Sequence, residues 1–137
     1  MVVSAVVVAA LASLAVASPA LPLKDRALPS GDVTCGSNVY TVSQVSAAVS
    51  AGYAHVSNPI GSNSYPHAYY SYADEHITLY CSGSSWYEYP ILKSGLYSGG
   101  SPGADRVIFN TSGTYCAVVT HTDAPGGDDA FTSCDND

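Results

Sequence analysis

The chain has 137 residues, 47% of them hydrophobic and 11% charged, with a formal net charge of −7. Four Lys and Arg stand against eleven Asp and Glu, which excludes a protein that grips nucleic acid through a broad basic surface, because affinity from counterion release needs many cations. Any activity on a polyanion must come from a local pocket, and the length suffices for one hydrophobic core but not two.

Val2 to Ala17 is almost wholly Val, Ala, Leu and Ser and ends in Ala15-Val16-Ala17 before Ser18-Pro19, the small-residue pattern of a signal-peptide cleavage site. Residues 1–17 therefore read as a signal peptide and the protein as secreted, with no retained membrane anchor. Lys24-Asp25-Arg26 places basic residues ahead of a change in composition, so 18–26 reads as a propeptide, with the mature chain beginning between Ala27 and Val33. Residues 27–137 then form one domain in which Lys93 and Arg106 face ten carboxylates. Its four cysteines, Cys35, Cys81, Cys116 and Cys134, suit an oxidising compartment and lack the CxxC spacing of zinc or redox sites. Three pairings are open. Cys35 with Cys134 would close a loop of about 100 residues, worth roughly 4 to 5 kcal/mol in the chain-entropy description, and Cys81 with Cys116 would then join two interior strands.

Thr41 to Tyr53 reads as a helix: Thr41 or Ser43 caps it, Val42, Val45, Ala48 and Val49 recur at helical spacing, and Gly52 ends it. From Ser57 to Ser64 the chain turns to Ser, Asn, Pro and Gly, a loop. Short strands are expected over His76 to Cys81, Trp86 to Leu92, Asp105 to Asn110, Tyr115 to Thr122 and around Phe131. The Gly-rich run Ser98 to Gly103 lacks the Lys-Ser/Thr ending of a phosphate loop and reads as a turn. The connections are too short for crossover helices, so the expected fold class is α+β, one α-helix packed on a twisted antiparallel β-sheet.

Several charged residues sit singly in apolar, strand-like segments: His67 after Tyr65-Pro66, Glu88 between Tyr87 and Tyr89, Arg106 before Val107-Ile108-Phe109, and His121 after Val118-Val119-Thr120. Burying an ionised group costs several kcal/mol unless it is paired, so four such exceptions point to one shared site. Period-two alternation sets Glu88 opposite Tyr87, Tyr89 and Ile91, sets Arg106 opposite Val107 and Phe109, and puts Tyr65, His67 and Tyr69 on one face. A carboxylate, two imidazoles and a guanidinium are the groups with which a nuclease moves protons and holds a phosphate without metal. His55 and His76 lack such context and read as surface or structural. Asn110-Thr111-Ser112 is a glycosylation sequon.

Ser64-Tyr65-Pro66-His67, Tyr87-Glu88-Tyr89-Pro90-Ile91, the run Gly99 to Val107 and Thr120-His121-Thr122 together resemble the small secreted fungal guanyl-specific ribonuclease family, in the family's order from Cys35 to Cys134. The stretch Tyr69-Tyr70 through His76-Ile77-Thr78-Leu79, followed by Cys81 and Trp86, looks closer to a purine-preferring branch of that family, as does the interior cysteine pair. The resemblance implies a metal-independent, cofactor-free endoribonuclease, acting as a monomer on single-stranded RNA and not on DNA. It implies Glu88 as general base on the ribose 2′-hydroxyl, His121 as general acid on the departing 5′-oxygen, His67 as the charge that keeps Glu88 ionised, Arg106 and Tyr65 as stabilisers of the phosphoryl oxygens, and Phe131 as packing on the phosphate side.

Base recognition departs from the family pattern. Guanine-specific relatives carry a glutamate where this chain has Ala73, which leaves Glu75 or Asp74 for that role, Tyr69 and Tyr72 for stacking, and Asp128 and Asp129 in place of two asparagines. Purine preference is therefore expected, with guanine against adenine open. Two readings from other classes compete: a catalytically inactive secreted interaction module on the same fold, and a carbohydrate-binding face made of the chain's eleven tyrosines and one tryptophan. The embedded acid and base favour the enzyme.

Overall fold

A computed structural model describes residues 27–137; the signal peptide and propeptide expected over 1–26 lie outside the described residues. The elements are β1 (Val33–Cys35), β2 (Asn38–Tyr40), α1 (Val42–Ala54), β3 (His67–Tyr69), β4 (Trp86–Pro90), β5 (Asp105–Asn110), β6 (Tyr115–Thr120) and β7 (Thr132–Ser133). Strands β1 and β2 form a hairpin, and β3 to β7 form an antiparallel five-stranded sheet in chain order, so the α+β expectation holds. Both disulfides of that expectation form, Cys35 with Cys134 and Cys81 with Cys116.

Helix α1 starts as its sequence dictates. Thr41 Oγ1 accepts from the Gln44 amide at 3.1 Å while Gln44 Oε1 accepts from the Thr41 amide at 2.8 Å, a reciprocal capping box. Gly52 does not end the helix, which runs on to Ala54 with His55 as its C-cap. Its role is close approach: a Cβ there would stand 2.7 Å from Phe109 Cε1 and 2.9 Å from Tyr89 Cβ, so glycine lets the helix settle on the sheet. Val45, Ala48 and Val49 thereby join Tyr89, Val107, Phe109 and Val118 in one core cluster.

The opposite face of the sheet carries a second cluster of Tyr69, Ile108, Ala117, Val119 and Phe131, with Ile77, Leu79 and Trp86 packed against it. His76 to Cys81 supplies that cover as irregular chain rather than as the expected strand. His76 takes a left-handed conformation (φ 54°), and the segment makes one backbone bond to β6, Tyr80 N–H to Cys116 O at 2.8 Å, beside the Cys81–Cys116 disulfide. The left-handed His76 stands where the expected strand would begin, and the residues that follow are tied to β6 as a flap by that one backbone bond and the disulfide. The β1–β2 hairpin was not expected, although Gly36 at φ 60° in a two-residue turn between Val33-Thr34-Cys35 and Asn38-Val39-Tyr40 is a hairpin signature. Strands β4 and β6 stop two residues short of expectation, at Pro90 and Thr120.

Asp105 locks the hairpin to the sheet. Its buried carboxylate accepts from Tyr40 Oη at 2.5 Å, Asn38 Nδ2 at 3.0 Å and Thr120 Oγ1 at 2.7 Å, and burial pushes the Tyr40 phenol well above its ordinary value. A carboxylate with three donors is a satisfied buried charge, so Asp105 is structural while its neighbour Arg106 turns to the other face.

Candidate active site

Register builds the site. His67 pairs with Glu88 across β3 and β4, Pro90 pairs with Arg106 across β4 and β5, and Asp105 pairs with Thr120, so that His121 follows at the end of β6. Alternation then sends Glu88 and Arg106 to the face away from the helix, with Ile108 and Val119. Tyr65 departs from the expected common face with Tyr69: β3 begins only at His67, beyond the cis Tyr65–Pro66 peptide, and the Tyr65 ring belongs to the helix-side cluster while Tyr69 belongs to the other.

Glu88 is the centre, 8% exposed. Its Oε1 lies 3.3 Å from His67 Nε2 and its Oε2 lies 3.2 Å from Arg106 Nε, an ion pair in which the N–H is not aligned as a hydrogen bond. Burial raises the Glu88 pKa, and the charges of His67, Arg106 and His121 oppose that rise. Both histidines have their orientation fixed by a backbone carbonyl. His67 Nδ1 donates to Asn63 O at 3.0 Å and His121 Nδ1 donates to Ala130 O at 2.7 Å, and because a carbonyl only accepts, the proton sits on Nδ1 in each neutral ring. The Nε2 atoms are left for chemistry. For His67 this makes the contact with ionised Glu88 attractive when the ring is protonated.

Arg106 is 4% exposed. Its Nη1 donates to Gly103 O at 2.8 Å and Asp105 O at 3.0 Å, and its Nη2 donates to Tyr65 Oη at 2.9 Å. Because Tyr65 Oη accepts there, its own proton is left to donate to a further oxygen. The other cation of the described chain, Lys93, is engaged away from the site with Val39 O at 3.0 Å. Phe131 stacks on His121, with ring centroids 4.0 Å apart and planes 20° apart.

The base-recognition candidates divide. Tyr72, Asp74, Glu75, Asp129 and Phe131 line a common cleft of about 360 Å³ with His76, which is exposed. Glu75 Oε2 accepts from the Phe131 amide at 3.0 Å, while Glu75 Oε1 is buried with no hydrogen-bond partner. Asp128 is exposed and is not among the residues that line this cleft. Tyr69 is 3% exposed, its ring packed between Trp86 and Phe131, and burial with the nearby Glu75 charge pushes its phenol up to about 12. His55, expected to be surface or structural, lies over the Tyr89 ring with centroids 6.1 Å apart. Asn110 is 7% exposed, its Nδ2 donating to Ser82 O at 3.1 Å and its Oδ1 accepting from the Ser112 and Thr114 amides at 3.0 Å. Sequence reasoning missed the two carbonyls that orient the histidines, those of Asn63 and Ala130, because a backbone carbonyl leaves no mark on residue type.

A buried carboxylate between an imidazole and a guanidinium, with a second, oriented imidazole close by, is the equipment of a ribonuclease, and the ribonuclease family matches residues 28–135. Guanyl-specific ribonuclease T1 of Aspergillus oryzae is 49% identical over 106 residues, covering 75% of this chain and 78% of that one. Guanyl-specific ribonuclease F1 of Fusarium fujikuroi is 43% identical over 128 residues, 92% of this chain and 89% of the other. Among solved structures, the ribonuclease from Hericium erinaceus (RNase He1) is similar at 36% identity with a TM-score of 0.55, covering 76% of this chain and 98% of that chain. The chain belongs to the guanyl-specific ribonuclease family of fungi and is an endoribonuclease; its relative from Gibberella baccata, 47% identical over 105 residues, is an extracellular guanyl-specific ribonuclease.

Proposed function

We propose that this ribonuclease cleaves single-stranded RNA on the 3′ side of purines by transphosphorylation, without metal, through Glu88 and His121. Glu88 takes the proton of the ribose 2′-hydroxyl, the 2′-oxygen bonds to the adjacent phosphorus, the bond to the 5′-oxygen breaks, and His121 Nε2 gives its proton to that oxygen. The products are a 2′,3′-cyclic phosphate and a 5′-hydroxyl, and water then opens the ring to a 3′-phosphate with the two groups in exchanged roles. Arg106 and the free Tyr65 proton meet the charge that develops on the phosphoryl oxygens. DNA lacks the nucleophile and is not cleaved. Every group comes from one chain, so a monomer suffices.

The observation that carries this reading is the pair of Nδ1-to-carbonyl bonds, which leave His67 Nε2 against Glu88 and His121 Nε2 for substrate. Purine recognition rests on Glu75, whose buried Oε1 needs a donor that an exocyclic amine or ring N–H supplies, with Tyr72 as stacking surface and Asp74 and Asp129 at the rim. A carboxylate only accepts, so it suits either purine. Incubation with four short RNAs, each with a different internal base, in EDTA tests the proposal: cleavage after G, A or both, leaving a cyclic phosphate, is expected. No cleavage by the folded protein would leave the inactive interaction module as the reading.

A further inference from the structure

Beside the purine loop lies a second cleft, of about 510 Å³, lined by Ala68, Tyr70, Ser71, Ser84, Ser85 and Trp86 together with the flanking faces of Tyr69 and Tyr72. Tyr70 is 67% exposed, an aromatic face with no place in the base and proton chemistry described above. Trp86 Nε1 is buried with no hydrogen-bond partner, a donor for an acceptor that the folded chain does not provide. No carboxylate lines this cleft, whereas Asp74, Glu75 and Asp129 line its neighbour, so an RNA strand meets less repulsion here.

We infer that this cleft is a subsite for the nucleotide on the 5′ side of the cleaved purine, whose base stacks on Tyr70 and accepts from Trp86 Nε1–H. The direction follows from the register and rests on the proposed proton roles. Trp86 pairs with Tyr69 and Asn110, two residues from Glu88 at one end of the strands, while Arg106 and His121 lie towards the other end. The 3′ nucleotide departs at His121, so the strand that remains bound runs towards Trp86. With no Lys or Arg in the cleft, binding comes from stacking on an aromatic face, which every base can offer.

Cleavage of GpU, pGpU and UpGpU, and of the last with an abasic first residue, tests the subsite. UpGpU is expected to exceed GpU in kcat/KM by about tenfold, with no such gain for pGpU or the abasic form. Tyr70→Ala should remove the gain while leaving GpU cleavage unchanged, and Trp86→Phe should reduce it. As a readout independent of cleavage, UpGpU made with 2′-deoxyguanosine should quench the fluorescence of Trp86, the single tryptophan, more than its abasic counterpart does. Equal rates for GpU and UpGpU, or a gain that survives Tyr70→Ala, would overturn the inference. Failure to cleave either substrate would instead defeat the ribonuclease proposal, and the quenching comparison would still report on the cleft.

Discussion

Phe131 lies face to face on His121 at 4.0 Å while its amide donates to Glu75, so one residue joins the proposed proton donor to the cleft proposed for the purine. The preceding carbonyl, Ala130 O, holds His121 Nδ1. Residues 130 and 131 therefore hold the proposed acid, His121, and the proposed base-site carboxylate, Glu75, with the same short stretch of backbone.

Phe131→Ala should lower kcat more than it raises KM, by about tenfold to a hundredfold, because it loosens the His121 ring proposed to meet the leaving oxygen. Steady-state kinetics on a dinucleoside substrate separates the two parameters. A change confined to KM would show that Phe131 serves binding alone.

Glu88→Gln and His121→Ala should each cost about 10² to 10⁴ in kcat with the fold intact. The pH profile of the parent should be bell-shaped, its acidic limb displaced upward from an ordinary glutamate because burial raises the Glu88 pKa. The same shift has a stability consequence of defined sign. A carboxyl whose folded pKa exceeds its unfolded one binds more protons in the native state, so its contribution to stability falls as pH rises through that window and stays lowered above it. At pH 7, Glu88→Gln should therefore be at least as stable as the parent, and a clear loss of melting temperature would contradict this.

Gly52→Ala tests the helix-to-sheet contact. The added methyl meets Phe109 and Tyr89 inside 3 Å in the middle of the core, so despite better helix propensity the variant should lose about 1 to 3 kcal/mol in urea unfolding. A gain in stability would mean that the helix simply shifts outward.

Asn110 should remain bare when the chain is secreted from a glycosylating host. Its amide nitrogen donates to Ser82 O, in the loop ahead of β4, and a glycan would displace that bond. Intact-mass measurement before and after glycosidase treatment decides the point, with a mass drop as the contrary result.

Much of this was readable from residue order because it depends on local rules. The spacing of Val45, Ala48 and Val49 after Thr41 specifies a capped helix, and single charges at Glu88 and Arg106 within apolar strands mark positions that need charged partners when buried. The family motifs ordered those charges into one site. Residue order did not reveal that Gly52 is a point of contact, that His76 to Cys81 is a flap, or that Asn110 is a buried residue at the end of β5. Each of these depends on what another segment places opposite: Phe109 against the helix, Cys116 beside the flap, Ser82 over the asparagine. The tautomers of His67 and His121 belong with them, since each is set by a carbonyl four or nine residues away whose position comes from the folded backbone. Periodicity encodes which side of an element is apolar; the neighbour that meets that side is supplied only when the chain closes on itself.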